Sequence, residues 1–123
     1  MGDQRLRPVE RLRCPRAYQR VFEQGEKLVG SLFILYVLPT SESYSRLGIA
    51  VSKRIGNAVV RNRIKRYLRE MFRRHKAFFL SSYDLVCVAR REAAGVPLAL
   101  YMQQFLPLLR RCQRLEQGEG VEP

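Results

Sequence analysis

The segment 57–79 constrains this chain more than any other, because it has two faces that cannot share one environment. On a helical wheel at about 100° per residue, Val60, Ile64, Tyr67, Leu68, Met71, Phe72, Phe78 and Phe79 gather on one side. Asn62, Lys65, Arg66, Arg69, Arg73 and Lys76 gather on the other. Such a helix must lay its apolar stripe on a core and turn the cationic ridge outward. From Lys53 to Lys76 there are ten Lys and Arg against a single acid, Glu70. The neighbours Lys65–Arg69, Arg66–Arg69, Arg69–Arg73 and Arg73–Lys76 each cost an isolated helix roughly 0.2–0.5 kcal/mol. A helix that met only water would intersperse Glu here. The pattern therefore predicts a partner with closely spaced negative charge, as a phosphate backbone has. Arg outnumbers Lys, and its planar fork binds phosphate bidentately and stacks on bases. Lys53 and Arg54 precede Gly56-Asn57, where free amides and the positive end of the helix dipole favour an anion.

The rest of the composition supports this. A chain of 123 residues, 46% hydrophobic and 28% charged, has the make-up of one folded domain with a modest core. Lys and Arg number 23 against 11 Asp and Glu, a net charge of +12. Self-repulsion of that size is tolerated most easily when an anion is the normal partner, either nucleic acid or an acidic membrane surface. A solubility charge would mix its signs along the chain, and this one does not. The membrane ranks lower because a sheet claims the apolar side of the helix. The longest apolar run, Leu32 to Leu38, is far short of the ~20 residues that span a bilayer. The N-terminus lacks the apolar core of a signal peptide. Cys14, Cys87 and Cys112 show no CxxC or Cys/His spacing, so neither a disulfide framework nor a zinc site is encoded. A cytoplasmic protein is expected.

Along the chain, residues 1–13 read as a mobile basic arm, 14–112 as one domain and 113–123 as a disordered tail. Pro15 opens a helix to about Gln24, with Cys14 as a weak cap and Gly25 as its stop. Residues 27–39 form a short strand and then a longer one. Leu47 to Ser52 alternates cleanly: Leu47, Ile49 and Val51 point one way, Gly48, Ala50 and Ser52 the other. That bare face either lets a helix pack closely or leaves a groove. The long helix follows, then a buried strand from Tyr83 to Ala89. A last helix runs from Pro97 to about Arg111, and Pro107 should kink it or end it early. The fold class is α+β, a small central sheet sandwiched with helices in the order α-β-β-β-α-β-α. The segments 47–54, 57–79 and 83–89 form one crossover unit.

No catalytic residues are expected. The only histidine, His75, falls within the apolar stripe and reads as a packed or edge residue. The acids outside the tails, Glu23, Glu26, Glu42, Glu70, Asp84 and Glu92, include no recognisable metal pair. No GxxxxGK[ST] loop occurs. A metal site is not expected in the chain.

The run Ser52-Lys53-Arg54-Ile55-Gly56-Asn57-Ala58-Val59-Val60-Arg61-Asn62-Arg63-Ile64-Lys65-Arg66 closely resembles the signature of the ribonuclease P protein component family. The resemblance extends over residues 12–112. It implies a subunit that carries no catalysis itself and assembles with a catalytic RNA. That RNA cleaves the 5′ leader from precursor tRNA with Mg2+ that it mainly holds, and no membrane or obligate protein partner is implied. Lys53, Arg61, Asn62, Arg63, Lys65, Arg66, Arg69 and Arg73 would hold the catalytic RNA. The leader would lie in a cleft lined by Tyr18, Phe22, Ile34, Tyr36, Ala50 and Arg54, where rings stack on bases and cations follow phosphates. Tyr18 stands where Phe is common, and Ala50 replaces a frequent small polar residue. The resemblance also implies a left-handed crossover, against the usual rule. Another basic RNA binder, such as a ribosomal protein, would share the charge but not the Arg-Asn-Arg block. A protein-only nuclease would need acids and bases that the sequence does not cluster.

Overall fold

Pro15 occupies the first position of helix α1 (Pro15–Gln24), where a missing N–H costs nothing. Cys14 sits at the cap without a side-chain capping bond. The helix closes on Gly25, whose N–H donates to Val21 O at 2.8 Å. A Cβ at residue 25 would stand 2.5 Å from that carbonyl, so only glycine fits the stop. The structure, a computed structural model, describes residues 8–76, 79 and 81–112.

Four strands form where the sequence is rich in apolar and β-branched residues: β1 (Glu26–Val29), β2 (Phe33–Pro39), β3 (Arg46–Ala50) and β4 (Tyr83–Ala89). They form one sheet in the order β1-β2-β4-β3, antiparallel except for β3 beside β4. The register puts Leu35 opposite Cys87 and Cys87 opposite Ile49. One face therefore carries Leu28, Phe33, Leu35, Val37, Leu47, Leu85 and Cys87. Helices α2 (Ala58–His75) and α3 (Leu98–Leu109) cover that face with Ile64, Leu68, Met71, Phe72, Tyr101, Phe105 and Leu109. Helix α1 covers part of the other face through Val21, against Leu38 and Val86. The result is the α+β sandwich expected, in the expected order, with α2 linking the two parallel strands.

Several boundaries differ from the sequence reading. Strand β3 stops at Ala50, because Ser52 Oγ accepts from Arg54 N–H at 3.2 Å and residues 53–55 turn as a short 3-10 helix. Helix α2 ends at His75, not at 79; Phe79 N–H then bonds Lys76 O at 3.2 Å. Pro107 does not end α3, which continues to Leu109. His75 is buried, with Nδ1 2.7 Å from Met71 O and its ring 5.0 Å from that of Phe105.

The described part of the expected mobile arm is packed. Residues 8–10 form a 3-10 turn, and Arg11 bridges Leu47 on the outer edge of β3. Leu12 donates to Leu47 O at 2.8 Å and buries its side chain with Val21, Leu38 and Val86. Burial of a single leucine and use of a free strand edge leave no periodicity for a sequence reading to find. The remainder of that arm, and the expected disordered tail 113–123, lie outside the described residues.

Candidate nucleic-acid interface

The entrance to α2 is built by local chemistry. Asn57 Oδ1 caps the helix by accepting from Val60 N–H at 3.0 Å, so one amide expected to be free is used. Arg61 turns back, its Nε donating to Gly56 O at 3.1 Å. Lys53 and Arg54 stand exposed on the preceding turn.

Beyond the first turn the cationic ridge divides into two flanks. Asn62, Arg63 and Arg66 are exposed on one flank and surround a shallow recess with Val59. Val59 is 68% exposed, an apolar contact point that the wheel did not single out. The Arg66 guanidinium lies 5.5 Å from the centre of the Tyr67 ring. Lys65 and Arg69 face the other flank, across from Arg11, Arg13 and Tyr18. Among the described residues, none of Arg63, Lys65, Arg66 and Arg69 forms an ion pair.

Arg73 departs from the expected pattern. Its Nε donates to Glu70 Oε1 at 3.0 Å, and a second bond joins the same pair. Arg74 also donates to Glu70, at 3.0 Å. Lys76 Nζ lies 2.9 and 3.0 Å from the two Glu10 oxygens. The cations of the C-terminal half of the helix are thus paired with carboxylates, three on two, whereas those of residues 63–69 are not. The bonds from Arg73 hold the Glu70 carboxyl below the usual carboxylate range, against a smaller opposing effect of burial.

The sheet face that carries α1 holds the second expected group. Ile34, Val88 and Ala50 are register partners across β2, β4 and β3, and all three are partly exposed. Phe22 and Tyr36 stack edge to face with centroids 4.8 Å apart. Tyr18 lies over Gly48, and its Oη accepts from Ile49 N–H at 3.0 Å. On the bare face of β3, Gly48 admits the Tyr18 side chain of α1, while Ala50 stays partly exposed. The Tyr18 hydroxyl is spent on the backbone of β3. Tyr18, Phe22, Ile34, Tyr36 and Ala50 lie on this face, with Val88 between Ile34 and Ala50. Arg54 stands past the strand end on the exposed turn.

Among the described residues no group of three His, Cys, Asp or Glu fits a metal ion. Burial pushes the Cys87 thiol far up. No described helix is long and apolar enough to cross a membrane.

A sheet with one bulky face under two helices, the cations Arg63, Lys65, Arg66 and Arg69 without ion pairs among the described residues, and the Phe22–Tyr36 ring pair on the opposite face make a small α+β domain with a basic surface. Residues 6–113 match the family model for ribonuclease P, and the chain belongs to the ribonuclease P protein component family. It is 38% identical over 117 residues to the ribonuclease P protein component of Petrotoga mobilis, covering 92% of this chain and 99% of that one. The component of Exiguobacterium sibiricum is 41% identical over 85 residues, 68% of this chain and 73% of its own. The fold is similar to that of the Staphylococcus aureus RNase P protein, with a TM-score of 0.76 and 31% identity over 83% of this chain and 94% of that one. For the Thermotoga maritima protein the TM-score is 0.75 and the identity 33%, over 85% and 98% of the two chains.

Proposed function

We propose that this chain is the protein subunit of a ribonuclease P ribonucleoprotein, binding the catalytic RNA and the 5′ leader of precursor tRNA to support RNA-catalysed 5′ maturation of tRNA. The observation that carries this reading is the run Arg63, Lys65, Arg66 and Arg69, cationic and without carboxylate partners among the described residues. Clustered cations on a rigid helix neutralise phosphates and release counterions, which is how a protein lowers the cost of bringing two RNAs together. Lys53, Arg61, Asn62 and the outward residues of α2 face the catalytic RNA; Arg73, tied to Glu70, contributes least. The leader lies between α1 and the open part of the sheet, its bases against Phe22 and Tyr36 and its phosphates toward Arg54. Magnesium is held mainly by the RNA, and the chemistry is the RNA's. The subunit works in the cytoplasm with these RNAs and needs no other protein.

Two variants test the two surfaces separately. Arg61, Arg66 and Arg69 together changed to Glu should abolish stimulation of RNA-dependent cleavage at low magnesium. Full stimulation by a folded triple variant would refute the assignment of that face. Phe22→Ala should weaken binding of leader-bearing precursor while leaving affinity for the catalytic RNA nearly intact. Equal losses in both would count against a separate leader site.

A further inference from the structure

The packed N-terminal segment builds a site that the sequence reading did not anticipate. Arg11 and Arg13 flank the buried Leu12 in an extended stretch, so both arginines project away from the core on the same side. Across from them stand Lys65 and Arg69, one helical turn apart on α2. With Tyr18, Leu12, Leu47 and Ile49 these four cations enclose a pocket of about 270 Å3 at the edge of β3. Among the described residues no carboxylate lines it. The nearby acids are committed elsewhere: Glu70 to Arg73 and Arg74, Glu10 to Lys76, and Asp84 to Arg46. Four like charges converging on one small cavity are tolerable when an anion sits among them. Arginine forks from one wall and a lysine from the other suit a tetrahedral oxyanion.

We propose that this pocket seats a single phosphodiester of bound RNA, with Arg11 and Arg13 closing over it from the docked N-terminal segment. The proposal rests on the reading of the chain as an RNA binder. It adds a third contact between the α2 ridge and the leader cleft, sharing Tyr18 with the latter. The phosphate comes either from the catalytic RNA or from the precursor strand as it leaves the cleft.

The test compares wild type with Arg11→Gln/Arg13→Gln, two exposed positions whose change should leave the thermal melt unaltered. One arm measures affinity of the full chain for catalytic RNA transcript across a salt series. The other measures affinity of the assembled ribonucleoprotein for precursor tRNA and for mature tRNA without a leader. Loss of one seated phosphate lowers the slope of log K against log salt by roughly 0.7–0.9. A drop confined to the first arm supports the proposal and assigns the phosphate to the catalytic RNA; a drop confined to leader-bearing precursor assigns it to the substrate. Leu12→Ala keeps every charge but removes the anchor of the segment, and should reproduce the same drop if it folds. Unchanged slopes in both arms for the arginine variant overturn the pocket, while Arg63→Gln/Arg66→Gln still weakens binding. If that second pair also has no effect, it is the RNA-binding reading itself that fails.

Discussion

Replacing Gly48 with alanine isolates the contact that fixes α1 to the sheet. A Cβ at residue 48 would stand 2.7 Å from Cζ and 2.8 Å from Cε2 of Tyr18, and 3.0 Å from its hydroxyl. To regain an ordinary contact the ring must retreat by about 0.7 Å. That retreat breaks the 3.0 Å bond from Ile49 N–H to Tyr18 Oη, worth about 1 kcal/mol net. Overpacking adds about 1–3 kcal/mol, toward the lower end because the ring is only partly buried and can swing outward. The expected loss is therefore about 2 kcal/mol. The assay is urea unfolding of wild type, Gly48→Ala, Tyr18→Ala and the double variant. Without the ring the three closest contacts of the added methyl are gone, so Gly48→Ala should cost about 0.5 kcal/mol or less in the Tyr18→Ala background, a coupling of at least about 1.5 kcal/mol. Equal cost in both backgrounds would show that the close approach of ring and strand is not what requires glycine.

Three further outcomes are expected. Asp84 is buried and receives two bonds from Arg46, at 2.8 and 2.6 Å, across the parallel pair β3–β4; Asp84→Asn should cost about 3 kcal/mol by leaving that guanidinium unpaired, and a change below 1 kcal/mol in chemical denaturation would contradict it. Because the Glu70 carboxyl is depressed below its ordinary 4.5 by Arg73 and Arg74, its contribution is complete above that value and is lost as pH falls through the folded value. Glu70→Gln should therefore flatten the acid limb of stability against pH, and an unaltered limb would rule the pairing out. Cys14 is exposed, and the amides of Ala17 and Arg16 favour its thiolate, whereas Cys87 and Cys112 are buried. Alkylation of the native protein should label Cys14 alone, as peptide mass mapping would show; modified Cys87 without denaturant would mean the sheet opens more readily than its packing implies.

Much of the fold was written in short-range patterns. Pro15 and Gly25 bound α1 because one residue fits a helix start and the other alone fits the stop. The apolar stripe Ile64, Leu68, Met71 and Phe72 made α2 a helix on a core, and its buried positions are those the periodicity predicted. Alternation along Leu47–Ser52 likewise gave the two faces of β3. The proposed cleft residues Tyr18, Phe22, Ile34, Tyr36 and Ala50 came from a family resemblance; by themselves Tyr18 and Phe22 read as core side chains of α1, and Ala50 only as part of a bare strand face.

Tertiary structure decided which distant segments the outward charges meet. Arg73 pairs with Glu70 three positions back on its own helix, a spacing already present in the sequence, whereas Arg69 faces Arg11 and Arg13 only because the N-terminal segment docks beside β3. Lys76 finds Glu10 from 66 positions away, and Leu12 finds the edge of β3. Periodicity reports whether a residue faces inward or outward, because that depends on its own element. Which partner an outward residue meets depends on how distant segments close on one another, and that is a property of the packed chain.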